Sequence, residues 1–368
     1  MDDLAHMRAA LALARRGLGN TWPNPAVGCV LVRDGQVVGR GWTAPGGRPH
    51  AEARALAEAG ERARGATAYV TLEPCSHHGR TPPCADALAE AGVARCVVAL
   101  GDPDPRVDGR GVERLRAAGV RVELGLLARE AAEAQAGFLT RVRAGRPMVT
   151  LKLATTLDGR IATAAGESQW ITGPEARRLV QAMRGRHDAT MVGIGTALAD
   201  DPALTCRLPG FKPVPDVRVV VDTHLRLSPA SLLARTAHEA PVWVLHGPGV
   251  APGRREVLAA LGVHLVEVPA GQGGLDLTAA LQALGGAGLT RVLVEGGAGL
   301  AAGLLRAGLV DRLAWFHAPG VLGADALAAV APLGIAVLAA MPRFERAAAR
   351  PAGADWLSEF RATPQAFP

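Results

Sequence analysis

Four side chains constrain the fold of this 368-residue chain more than any others: the imidazole and carboxylate of His50-Ala51-Glu52 and the thiols of Cys75 and Cys84. One imidazole and two thiols are the set a catalytic zinc ion takes when it has three protein ligands and keeps a fourth position for water. For them to meet, a helix beginning at His50, a loop at Cys75 and a second helix beginning at Cys84 must converge on one point. Read singly, His50 is a surface histidine and Cys75 a small core residue. Read together, in or beside a polar, proline-rich loop, they are not explained by apolar burial. A disulfide between Cys75 and Cys84 stays open, as does a closed structural zinc site completed by His77 or His78. In the catalytic reading zinc lowers the pKa of its water towards neutrality, and Glu52 takes up the proton. The dipole of the helix that Cys84 opens favours a thiolate there.

The periodicity around this constellation is that of an α/β chain. Leu4, Met7, Ala10, Leu11 and Ala14 recur at helical spacing, and Gly17 and Gly19 end the pattern. Apolar runs at 27–32 and 36–42 flank Asp34-Gly35, a hairpin dipeptide. A helix from His50 to near Gly60, a strand at 68–72, a helix opened by Cys84, strands at 95–100 and 120–124 and helices at 112–118 and 127–143 follow, the pattern of a largely parallel sheet. Gly145-Arg146-Pro147 ends a helical pattern before an extended run at 148–154, so domains of 1–146 and 147–368 are expected. The second half alternates again. Strands are expected at 217–221, 242–245, 264–268, 291–294, 312–316 and 356–361, and helices at 175–184, 275–284 and 300–307.

No apolar run reaches the roughly 18 residues of a membrane span, and Met1-Asp2-Asp3 is acidic where a signal peptide is basic, so a cytoplasmic protein with no membrane partner is expected. Five cysteines do not make a secreted disulfide framework. The net charge of +6 does not point to nucleic acid, because the basic residues are scattered and aromatics make up only 4%. A phosphorylated small substrate accounts for the basic excess, and so does the absence of any functional cause. Cys29, Cys96 and Cys206 read as packing residues, and His187, His224, His246, His264 and His317 lack metal spacing.

Zinc deaminases acting on cytosine or adenine carry His-x-Glu followed by Pro-Cys and a second Cys, with the Glu as proton carrier. Their usual Pro-Cys-x-x-Cys is here stretched, with eight residues between Cys75 and Cys84. The whole segment 73–84, after Asn24-Pro25-Ala26-Val27-Gly28 and His50-Ala51-Glu52, resembles the bifunctional riboflavin-biosynthesis deaminase/reductase family. The resemblance continues through Leu151-Lys152-Leu153-Ala154, Leu157-Asp158-Gly159-Arg160, Ser168-Gln169-Trp170-Ile171-Thr172, Asp200-Asp201-Pro202-Ala203-Leu204-Thr205 and Val294-Glu295-Gly296-Gly297. It implies a cytidine-deaminase-like domain followed by a dihydrofolate-reductase-like α/β domain, with Zn2+ and NADPH as cofactors. It also implies deamination of 2,5-diamino-6-(5-phosphoribosylamino)pyrimidin-4-one and then reduction of the product's ribosyl chain to ribityl. The partners expected are these phosphoribosyl pyrimidines and further copies of the chain.

Residue by residue, the resemblance gives Asn24, His77 and Arg80 to the first substrate. Ala154, Trp170, Thr196, Asp200 and Thr223 are expected to line NADPH, with Gly297, Ala298, Gly299, Leu300, Ala301, Ala302 and Gly303 passing along its phosphates. Ser168, Arg184, Leu204, Arg207 and Glu295 are expected at the second substrate. The family carries a histidine seven residues before the zinc histidine, where this chain has Thr43. Independently of any family, Glu295-Gly296-Gly297 between a strand and a helix suits backbone amides approaching a phosphate, although many strands enter helices this way. It is not the complete dinucleotide fingerprint. Arg184 and Arg207 suit bidentate binding of a sugar phosphate. Lys152 stands out because every other basic residue except Lys212 is arginine, and a compact ammonium near the ribose is the reading it supports. Glu295 and Lys152 both remain candidates for the acid of the reduction. Two competing readings are a deaminase with a non-catalytic C-terminal half and an RNA-editing module, the latter opposed by the missing basic-aromatic surface.

Overall fold

The structure, a computed structural model, describes residues 2–77 and 82–363. It consists of two compact units, Met1–Gly145 and Arg146–Pro368. Among the described residues no helix is long and apolar enough to cross a membrane.

In the first unit, strands β1 (Gly28–Arg33), β2 (Gln36–Trp42), β3 (Thr67–Val70), β4 (Arg95–Val98) and β5 (Arg121–Leu124) form one sheet in the order β2-β1-β3-β4-β5. The sheet is mixed and not largely parallel: β1 is antiparallel to both β2 and β3, and only β3, β4 and β5 run together. The cause is the tight hairpin, where Asp34 and Gly35 take φ of 51° and 73°, matching the two positive φ values of a type I′ turn. The helix expected at 127–143 is two helices, Ala128–Ala134 and Ala136–Ala144. Between them Gln135 is buried and its side-chain amide donates to the Ala26 carbonyl at 2.7 Å.

Helix Ala51–Ala59 lies directly on β2. A Cβ at Gly41 would stand 2.1 Å from the Ala51 carbonyl oxygen, and one at Gly39 2.2 Å from that of Ala55. An alanine-rich helix can therefore press its backbone onto a glycine-bearing strand, which fixes where its first turn, with His50 and Glu52, comes to rest.

The second unit has nine strands in one sheet: β6 (Met148–Thr155), β7 (Ala189–Gly193), β8 (Val217–Val221), β9 (Val242–His246), β10 (His264–Glu267), β11 (Arg291–Glu295), β12 (Arg312–His317), β13 (Phe344–Ala352) and β14 (Asp355–Ala362). Their order is β10-β9-β8-β7-β11-β6-β12-β14-β13. The first seven are parallel, and β14 pairs antiparallel with both β12 and β13. Sequence periodicity missed β7, the helix Ile194–Asp200 behind it, and β13. The first is a five-residue buried strand running straight into a seven-residue helix, too short for either period to register. The last is an exposed, arginine- and alanine-rich edge strand in which Pro351 is tolerated.

Carboxylates tie the amino ends of the central strands. Asp188 Oδ2 accepts from the Thr290 N–H at 2.6 Å and the Arg291 N–H at 2.9 Å, joining β7 to β11. Asp311 accepts from Val149 N–H at 2.7 Å and pairs with Arg146, joining β12 to β6. Beside them, His187 is buried, its Nδ1 2.7 Å from the Met183 carbonyl and its Nε2 2.9 Å from the Thr150 hydroxyl. This arrangement suits a neutral ring donating through Nδ1 and accepting at Nε2. Burial pushes its pKa down to about 3, with the Arg291 charge adding to the effect. Because the folded pKa lies below the ordinary value near 6.5, the unfolded chain binds the extra proton. The contribution of His187 is thus complete above pH about 6.5 and falls as pH drops from there towards 3, by up to about 1.4 kcal/mol per pH unit. Chemical denaturation of the protein and of His187→Gln between pH 7.5 and 4.5 should show this as a steeper loss of midpoint in the parent. Parallel pH profiles would remove the assignment.

Candidate active sites

The three ligand candidates come together in the first unit. His50 precedes helix Ala51–Ala59, Cys75 lies in the loop after β3, and Cys84 is the first residue of helix Cys84–Glu90. Their ligand atoms all lie within 4.8 Å of one another. His50 Nδ1 stands 3.7 Å from Cys75 Sγ and 3.4 Å from Cys84 Sγ. For zinc with ordinary bond lengths, tetrahedral geometry gives an N···S edge of about 3.5 Å. Both thiols are free, so the disulfide reading is removed. Among the described residues the group holds no fourth ligand. His77 stands outside it, with a buried Nδ1 that has no hydrogen-bond partner, while His78 and the expected substrate contact Arg80 lie outside the described residues.

The electrostatics of the set favour a cation. Cys75 is brought down to about 4, first by the hydrogen bond from the Cys84 thiol, against burial, and then by His50. Cys84 is pushed far up by the same hydrogen bond and by burial. This corrects the expectation that the helix start favours a Cys84 thiolate: the Cys84 backbone N–H points at Cys75 Sγ, at 3.4 Å, so the amide stabilises its neighbour. Two thiols this close share one proton until a dication lies between them, and the donor set fits zinc. The hydrogen bond with Cys75 raises the pKa of His50, against burial. Glu52 is 3% exposed, and burial lifts its carboxyl to about 7, opposed by His50. A carboxyl poised there both takes and gives a proton near neutrality.

Around this cluster, Asn24 donates through its amide to the Gly47 carbonyl at 2.9 Å. Thr43 is buried, accepts from Val27 N–H at 2.9 Å and donates to the Pro25 carbonyl at 3.0 Å. Its hydroxyl thus fastens the segment that carries Asn24.

In the second unit the expected residues gather at the carboxyl ends of the parallel strands. After β7 the chain enters helix Ile194–Asp200 and moves on to β8, whereas after β11 it enters helix Ala298–Arg306 and moves to β12. Adjacent strands whose connections leave in opposite directions open a crevice between them, the usual ligand position of such sheets. Gly296 and Gly297, with φ of 81° and 90°, turn the chain there. A Cβ on Gly297 would lie 3.5 Å from Thr196 Oγ1 and 3.9 Å from Gly193 N, so the two glycine turns face each other. Asp200 ends the helix after β7, Thr223 follows β8, and Ala154 lies near the end of β6.

Three positions expected along the phosphates are turned inward. Ala301 and Ala302 are fully buried, and a Cβ at Gly303 would meet Leu277 at 2.8 Å, so only Gly297, Ala298, Gly299 and Leu300 face the crevice end of this helix. Leu204 is 2% exposed and its side chain packs in the core with Val192, Val220 and Leu225, so its backbone is what it offers to a substrate. Arg207 is exposed and its N–H donates to Gln181 at 2.8 Å. Ser168 and Trp170 line a cavity of about 470 Å³ with Thr156, Thr163, Gln169, Ala318, Gly320 and Leu322. Trp170 is 68% exposed, with the Arg177 guanidinium 4.5 Å from its ring.

At the centre, Glu295 and Lys152 are paired neighbours on β11 and β6. Arg184 grips Glu295 bidentately, at 2.6 and 2.9 Å, and donates to the Thr205 carbonyl at 3.1 Å. Burial pushes the Glu295 carboxyl up, but Arg184 and Lys152 outweigh it and hold the group below its ordinary range. Burial lowers Lys152, partly offset by Glu295. Arg184, expected as a phosphate ligand, is thus engaged with Glu295. Sequence reading also missed Asp158, whose carboxylate accepts from the Gly323 N–H at 2.8 Å and the Thr156 hydroxyl at 2.6 Å, holding one wall of the cavity. The only sequence signal was its place in Leu157-Asp158-Gly159-Arg160.

Both units have counterparts in known proteins. Residues 1–100 match the cytidine and deoxycytidylate deaminase zinc-binding region, and residues 147–358 match the RibD C-terminal domain. The riboflavin biosynthesis protein RibD of Escherichia coli is 45% identical, over 96% of this chain and 98% of its own length. That of Aquifex aeolicus is 41% identical over 87% and 88%. Among solved structures, a RibD of Acinetobacter baumannii superposes with a TM-score of 0.89 at 41% identity, covering 98% of this chain and 99% of that one. The Thermotoga maritima diaminohydroxyphosphoribosylaminopyrimidine deaminase/5-amino-6-(5-phosphoribosylamino)uracil reductase superposes with a TM-score of 0.84 at 34% identity, covering 98% of both chains. With a three-ligand metal cluster in one unit, a glycine-turn crevice in the other and both halves matched in order, the chain belongs to the RibD family of riboflavin biosynthesis proteins.

Proposed function

We propose that the first unit removes the exocyclic amine of 2,5-diamino-6-(5-phosphoribosylamino)pyrimidin-4-one as ammonia, and that the second reduces the ribosyl chain of the resulting 5-amino-6-(5-phosphoribosylamino)uracil to ribityl with NADPH. The observation that carries the first step is the convergence of His50, Cys75 and Cys84 with the buried Glu52 beside them. Bound zinc supplies an acidified water. Glu52 would take one proton of that water and give it to the pyrimidine ring nitrogen as the water oxygen adds to the amine-bearing carbon, then carry the second proton from that oxygen to the amine, whose C–N bond breaks to release ammonia; burial keeps its pKa where these transfers are feasible. Asn24 and His77 are the proposed substrate contacts of this site, with Arg80 carried by resemblance alone.

For the second step NADPH supplies the hydride. The crevice between Thr196 and Gly296-Gly297 is the proposed seat of its phosphates, and the cavity at Ser168 and Trp170 the proposed place where cofactor and ribosyl chain meet. Ala154, Asp200 and Thr223 line the proposed cofactor path. Lys152 is the proposed proton donor to the opening sugar: it is desolvated, and it stands at the register position beside Glu295, which Arg184 locks. Arg207 is the proposed contact to the substrate phosphate. A non-catalytic second half is set aside, because whole-length relatives carry this half and the Thermotoga neighbour is described as a reductase. The free thiols of Cys75 and Cys84 support a cytoplasmic setting. Association of chains is supported by the exposed Val337, Leu338 and Met341 just ahead of the edge strand β13.

Glu52→Gln should retain about one zinc per chain by elemental analysis while ammonia release falls on the order of 10²–10⁴-fold; undiminished release would remove the mechanism. Lys152→Arg should slow NADPH oxidation on the deaminated substrate by on the order of 10–100-fold and leave deamination unchanged. Full turnover there would dismiss Lys152 as donor. Light scattering should give a mass of at least two chains, reduced in Leu338→Asp, and a monomeric parent would rule the association out.

A further inference from the structure

Two residues before Cys75 stands Glu73, a carboxylate 4% exposed. Its Oε1 accepts from the N–H groups of Gly111 at 2.9 Å and Val112 at 3.1 Å, and its Oε2 from those of Asp102 at 3.3 Å and Gly109 at 3.2 Å. All four amides belong to the loop after β4 and the first turn of helix Arg110–Ala117. Charge-assisted bonds of this kind are the strong ones, and the positive end of the helix adds to them. The backbone of Glu73 is held as well, its N–H donating to the Leu100 carbonyl at 2.8 Å.

A steric contact runs the same way. A Cβ on Gly111 would stand 2.0 Å from the Pro74 carbonyl oxygen, so the start of this helix abuts the residue that leads into Cys75. On the far side of Cys75, the buried Ser76 donates to the Arg106 carbonyl at 3.3 Å. Residues 73, 74 and 76 are thus all fastened to segment 102–112, and Cys75 lies between them.

We infer that Glu73 is a positioning residue for the metal: through the amides of segment 102–112 it sets where Cys75 Sγ stands relative to His50 and Cys84. The inference rests on the zinc reading of that cluster. Zinc bond lengths tolerate little displacement, so a cysteine on a loop needs such an anchor to keep its sulfur in place. The side chain has no equivalent substitute. Glutamine sets an NH2 group against two N–H donors, and aspartate stops one methylene short of all four.

The test uses full-length Glu73→Gln and Gly111→Ala, the second disturbing the same joint from the opposite side. Zinc per chain, the rate of zinc transfer to a chromogenic chelator, and NADPH oxidation on added deaminated substrate are measured. Both variants are expected to keep the parental circular dichroism and reductase rate while releasing zinc about tenfold faster or more. Leu115→Ala, on the same helix and fully buried in the apolar core, controls for lost stability. It should lower the thermal midpoint without accelerating zinc release well below that temperature. Parental release in Glu73→Gln overturns the inference, as does equal acceleration in Leu115→Ala. If Glu73→Gln does not fold, the comparison of Gly111→Ala with Leu115→Ala decides alone. A parental chain that binds no zinc overturns the underlying metal reading instead, so the two failures are distinct.

Discussion

Buried backbone amides must find acceptors, and this chain repeatedly answers that requirement with a carboxylate. Glu73 takes four amides of segment 102–112, Asp188 takes those of Thr290 and Arg291, and Asp311 takes that of Val149. Each joins elements distant in sequence, and each is charge-assisted, so it is more directional than the apolar packing around it. In the second unit Asp188 and Asp311 close the amino ends of β6, β7, β11 and β12. The carboxyl ends of the same strands carry the Gly296-Gly297 turn and the proposed cofactor crevice. Stability and chemistry thus occupy opposite ends of one sheet.

The two units solve their chemical problems by different physical means. The first concentrates ionisable groups in a desolvated cluster, where a thiol pair sharing one proton and a carboxyl lifted to about 7 create a demand for a dication. The second builds a crevice from backbone, with Gly296 and Gly297 at positive φ at the end of β11, and sets Lys152 on the strand beside the locked Arg184–Glu295 pair. This difference follows from the reactions. Water activation needs a strong local field, whereas hydride transfer from a cofactor needs placement above all.

Helix placement in the first unit depends on residues without functional groups. Gly39 and Gly41 let helix Ala51–Ala59 lie against β2 at backbone distance, and Gly111 lets the start of another helix abut Pro74. Thr43 uses its hydroxyl to hold the Asn24 segment to the end of β2. In each case the contact is absent from any local pattern, because the partner lies far off in sequence.

The sequence alone carried the His50, Cys75 and Cys84 set, the α/β alternation and the hairpin at Asp34-Gly35, and offered Glu52 as the candidate proton carrier, since each is written in residue type at short spacing. It also determined most strands of the second sheet, because buried parallel strands are continuous apolar runs. It did not reveal β7, too short to show a period, or β13, whose composition is that of an exposed edge. Only the folded structure aims the Cys84 N–H at Cys75 Sγ, because the two meet through a helix start and a loop. Only it turned Leu204, Ala301 and Ala302 into the core and locked Arg184 onto Glu295. Residue type fixes what a side chain can do; burial and direction, which arise from contacts between distant segments, decide whether it faces a ligand.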